Sequence, residues 1–108
     1  MNRQQLPHRR PNLTLETEWN GHPVTVTVGY DLDGQPREVF ANTRSGGDMA
    51  ATLADACVVV SIALQHGIPA AALAKSLGRV PDLHRGGGAT APASPVGTIL
   101  EAVLEAQQ

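Results

Sequence analysis

From Asn12 the chain alternates with a period of two. Leu13, Leu15, Thr17 and Trp19 share one face, while Thr14, Glu16 and Glu18 take the other. That pattern predicts a half-buried strand. Asn20-Gly21 follows, the dipeptide that best supplies the two positive φ angles of a tight hairpin turn. Val24, Val26, Val28 and Tyr30 then alternate with Thr25 and Thr27, giving a return strand rich in β-branched residues. Asp31-Leu32-Asp33-Gly34 signals a second turn. Arg37 to Ala41 reads as a third short strand, with Val39 facing opposite to Phe40.

Past Thr43 to Gly47 the period lengthens. Asp48 is placed to cap a helix. Met49, Leu53, Ala56, Cys57, Val60 and Leu64 recur at helical spacing, and Val58, Val59 and Ile62 extend the apolar surface almost all round. Such a helix is expected to lie at the centre of the fold, covered on more than one side. Gly67 stops it. Pro69 suits the first turn of a short second helix running to about Leu77, ended by Gly78. Val80 to Ala93, with Pro81, Pro92 and the Gly86-Gly87-Gly88 run, reads as a loop. Ser94-Pro95 is a cap followed by proline at the first helical position. The last helix then presents Val96, Ile99, Leu100, Val103 and Leu104 inward. The fold class is α+β: a three-stranded antiparallel meander followed by three helices, the first long and central.

Composition narrows this picture. The 108 residues are enough for one domain and one core. Apolar residues make up 42% but aromatics only 3%, so the core is aliphatic, with Trp19, Tyr30 and Phe40 expected as its few large plates. The single Cys57 excludes an internal disulfide and a thiolate metal site, and suits a reducing cytoplasm. No run approaches the roughly 20 apolar residues of a membrane span. The basic start MNRQQLPHRR has no apolar segment behind it, so no secretory signal is expected. Residues 1–11 hold Arg3, Arg9 and Arg10 without an acid and read as a flexible basic arm, with residues 12–108 as the domain. That domain sets five basic residues against ten acids. An acidic body argues against a dedicated duplex-binding surface.

Candidate chemistry is sparse. His8, His22, His66 and His84 stand at no spacing typical of zinc sites, so neither a metal nor another cofactor is expected. Cys57, inside an apolar helical stripe, reads as an inert small hydrophobe. No local motif suggests a Ser/His/Asp arrangement, and the chain is not expected to be an enzyme. The loop residues Arg44, Ser45, Gly46 and Gly47 could present backbone N–H groups to an anion or nucleotide, although Asp48 would compete for those donors. Asp31 and Asp33 read first as turn residues. For a partner, the candidate contacts are Arg3, Arg9 and Arg10 on the arm and Glu16, Glu18, Asp31 and Asp33 on the body.

Arg37-Glu38-Val39-Phe40, Ser45-Gly46-Gly47-Asp48, the helix ending Leu64-Gln65-His66-Gly67-Ile68, and Leu73-Ala74-Lys75-Ser76-Leu77 occur in an order that resembles TSCPD domains. These are small domains found at the C-terminus of vitamin B12-dependent ribonucleotide reductases and as stand-alone bacterial and phage proteins. The resemblance covers about residues 24–104. The Ser-Cys-Pro region of the family is matched by Ala93-Ser94-Pro95, in which the cysteine is missing. A metal or redox role tied to that cysteine is therefore not carried over.

The expected function is that of a non-catalytic, stand-alone interaction domain in the cytoplasm. It would bind a protein or nucleoprotein complex, in one form as a phage or prophage inhibitor of host defence of the anti-CRISPR type. Two alternatives stand beside it. The resemblance to the reductase domain implies an accessory or regulatory nucleotide-binding role. The arm suggests direct binding of nucleic acid. A small sheet with two open edges also predicts a homodimer.

Overall fold

Asn20 and Gly21 adopt φ angles of 50° and 80° and close the first hairpin in two residues. They join β1 (Asn12–Trp19) to β2 (His22–Tyr30), paired antiparallel from Asn12↔Gly29 to Trp19↔His22. The computed structural model describes residues 11–44 and 46–107. Arg3, Arg9 and Arg10 of the expected arm, and Ser45 of the expected anion loop, lie outside the described residues. Pro11 is already tied to the sheet, its carbonyl accepting from the Tyr30 N–H at 3.1 Å.

A second turn leads into β3 (Pro36–Thr43), longer than the sequence pattern suggested, so the sheet order is β1-β2-β3. Asp31 builds that turn. Its Oδ1 accepts from the Asp33 and Gln35 N–H groups at 2.9 and 3.0 Å, and its Oδ2 from Arg37 Nε at 2.9 Å. The Arg37 guanidinium, followed by the backbone donor of Gln35, holds the Asp31 carboxyl below its ordinary value. Arg37 Nη1 also donates to Leu64 O at 2.6 Å, fastening the turn to the end of the long helix.

That helix, α1 (Gly47–Gln65), starts beyond Gly46, and Asp48 lies in its first turn rather than capping it with a side-chain bond. It ends through Gly67 at φ 85°, which lets Ile68 N–H reach Ala63 O and Gly67 N–H reach Leu64 O, both at 3.0 Å. Pro69 is the cap of α2 (Ala70–Lys75) rather than its first helical residue. The span read as a loop contains a small hairpin, β4 (Arg79–Pro81) with β5 (Thr90–Pro92). The last helix, α3 (Pro95–Ala106), follows the expected signal, since Ser94 Oγ accepts from Gly97 N–H at 3.3 Å.

One face of the meander is dry. Val24, Val26, Val28 and Val39 meet Leu53, Cys57, Val60 and Leu64 of α1 and Ile99, Leu100 and Val103 of α3, all buried. Tyr30 Oη donates to Ala106 O at 2.7 Å and pins the end of α3 to the sheet. The other face carries Thr14 on Thr27 and Glu16 on Thr25, and it is open to solvent. Two packing expectations are corrected. Phe40 lies on the open side at 58% exposure, and α1 is covered along one stripe only. Geometry explains both: Phe40 shares the face of Thr27, its register partner, and among the described residues no third layer covers the outside of α1.

Candidate functional site

Four-residue steps along α1 put Cys57, Ser61 and Gln65 in one row. The row runs along the outer edge of β3. Gln65 Nε2 donates to Arg37 O at 3.2 Å. Ser61 Oγ accepts from Val39 N–H at 3.0 Å and donates to Val39 O at 3.4 Å. An Ala41 backbone hydrogen bond reaches the Cys57 side chain. The edge is thereby closed by side chains rather than by another strand. Of the two edges expected to invite pairing, β3 is occupied. Among the described residues no comparable row lines β1.

Burial raises the Cys57 thiol from its ordinary 9.0 to about 11, against the smaller opposing effect of the Ala41 hydrogen bond. Native protein should therefore resist alkylation at pH 8 and react only after unfolding. The folded state keeps the proton that the unfolded chain releases first. Its contribution to stability is thus intact below pH 9 and lost as the pH rises toward 11. Melting curves of Cys57→Ala should lack that alkaline component. Rapid labelling of native protein would contradict the buried position.

The next row outward is apolar and uncovered. Ala54, Val58 and Ile62 border a groove of about 490 Å³ against Phe40 and Asn42 of β3. Val58, Val59 and Ile62 expose 57%, 66% and 51% of their surface. By length and composition α1 could cross a membrane, but its Leu53, Cys57, Val60 and Leu64 stripe is spent on the domain core. A helix with large apolar residues on both its core and solvent sides offers a second contact surface.

The residues singled out by sequence do not converge. Glu16 and Glu18 lie on the open face of β1, near the first hairpin. Asp31 and Asp33 belong to the turn at the other end of the sheet, roughly 20 Å away at 3.3 Å per residue. Asp31 is engaged with Arg37. Arg44, Gly46 and Gly47 are exposed at the start of α1, with φ angles of 41° and 65° at the two glycines. His22 stacks on Trp19 with ring centroids 6.2 Å apart, and His66 Nδ1 lies 2.9 Å from Ile62 O. No group of three potential metal ligands occurs among the described residues. A second cleft, about 770 Å³, opens between the first hairpin and the β4–β5 loop, lined by Glu18, Trp19, Asp82, Leu83, His84 and Thr98 among others.

The face that sequence reasoning missed comprises Phe40, Val58, Val59 and Ile62. Its signal was an apolar helix surface wider than one core stripe. A family model described as the TSCPD domain matches residues 2–105, extending the resemblance through β1 and into the N-terminal residues. No curated protein and no solved structure matches the chain.

Proposed function

The chain belongs to the TSCPD domain family, and from that footing we propose that it is a non-catalytic interaction domain, binding protein through the apolar face of α1 beside β3. The observation that carries this reading is the exposure of Val58, Val59 and Ile62 on one helix, continued by Phe40 across the groove. Removing apolar surface from water is worth roughly 25 cal/mol per Å². Occupying this face is therefore favourable, with little prior loss of side-chain freedom because Val and Ile are stiff at χ1. The polar rim of Asn42, Gln65 and Glu38 gives the orientation that an apolar floor lacks.

The test pairs capture with substitution. Immobilised wild-type chain and the Val58→Glu/Ile62→Glu double variant are exposed to the same lysate, and retained proteins are quantified. Both positions already face solvent, so the variant should keep the far-ultraviolet spectrum and melting behaviour of the wild type. At least one protein, including untagged copies of this chain, should be retained about tenfold less by the variant. Indistinguishable sets would remove the α1 face from consideration.

A further inference from the structure

We infer that the occupant of the exposed α1 face is a second copy of this chain, packed antiparallel about a two-fold axis near Val58 and Val59; this rests on reading that face as an interaction surface. Ala51, Asp55, Val58 and Ile62 follow one another at steps of four, three and four, the spacing of a helix–helix seam, and all four are exposed. Val59 widens the seam on one side, and Phe40 extends it across the groove on the other.

Charge selects the antiparallel arrangement. The acids of α1, Asp48 and Asp55, both lie in its first half. From Ala56 to Gln65 the helix has no charged residue, and His66 follows at its cap. An antiparallel crossing between Val58 and Val59 sets Asp55 beside the partner's Ile62 and Ala51 beside the partner's His66. Asp48 is then one turn from that imidazole. A parallel pairing would instead set Asp48 on Asp48 and Asp55 on Asp55, like charges in a drying interface. Antiparallel axes also oppose the two helix dipoles favourably.

Area is consistent with a pair. Val58, Val59, Ile62 and Phe40 together expose roughly 400 Å², within the size of the largest patch on a typical monomer. With the flanking atoms of a helix about 28 Å long, two copies cover on the order of 1,000 Å², where specific interfaces begin. Such a surface serves itself because a two-fold contact uses the same patch twice.

Sedimentation equilibrium of the full chain at micromolar concentration should give twice the chain mass. Val58→Glu/Ile62→Glu should raise the dimer dissociation constant about 30-fold or more. Mild oxidation should link Val58→Cys to itself, whereas Ala51→Cys should link only when mixed with His66→Cys. Self-linking of Ala51→Cys would overturn the antiparallel axis. A dimer indifferent to the glutamates would overturn this interface. A monomeric wild type would overturn the second copy as occupant. If that monomer still lost a lysate partner in the double variant, the broader reading of the face would survive.

Discussion

Replacing Ile99 with alanine is expected to lower the stability of the fold by about 2–5 kcal/mol. Ile99 is fully buried in α3, at the junction of that helix with the valines of the central strand. Truncation removes the transfer free energy of its methyl and methylene groups and leaves a void that a β-branched, close-packed wall cannot collapse to fill. Domains of this size typically have only about 5–15 kcal/mol in total, so the variant should lose a large share of its stability and melt at a lower temperature. Ile99→Val should cost about 0.5–1.5 kcal/mol. Leu104→Ala, at a half-buried position of the same helix, should fall between them. Urea denaturation measures all three, and a loss below about 1 kcal/mol for Ile99→Ala would mean that α3 does not seal the sheet as described.

Ser61→Ala is the second large effect, expected at about 1–3 kcal/mol. Its weight comes from what it strands rather than from what it removes. Val39 N–H points at α1 and has Ser61 Oγ as its acceptor at 3.0 Å. Alanine leaves that donor facing a methyl group beside the helix. The measurement that isolates this is amide exchange: the Val39 amide should lose protection while Val28, in the central strand, keeps it. Equal protection at Val39 in both proteins would show that the hydroxyl is not its partner. Ser61→Thr, which retains the acceptor, should recover part of the loss.

The meander was legible because its two signals agree: alternation over β1 and β2 and a dipeptide that fits the turn between them. The α3 start was legible because Ser94 and Pro95 each do one recognisable thing. The β4–β5 hairpin was hidden by its own brevity. Two three-residue strands, each ending in proline, show no alternation to detect, and Arg79 secures them instead by donating to Thr90 Oγ1 and Thr90 O and pairing with Glu101. The outer side of α1 was misread for a different reason. Its apolar width was visible at Val58, Val59 and Ile62, but periodicity cannot say what lies opposite. Burial of that width requires a further layer, and α2, six residues long, is too short to provide one. The site therefore emerged from a mismatch between how much of the helix is apolar and how much sheet there is to receive it.

The way α1 closes the β3 border also bears on the order in which the molecule assembles. Ser61 and Val39 are 22 positions apart, whereas Tyr30 and Ala106 are 76 apart. Short loops close sooner than long ones. At roughly 5–20 residues per second, the segment after Ser61 takes several seconds to emerge from a ribosome. The β3 border can be shut during that delay, so the nascent chain awaits α3 with that strand rim already sealed.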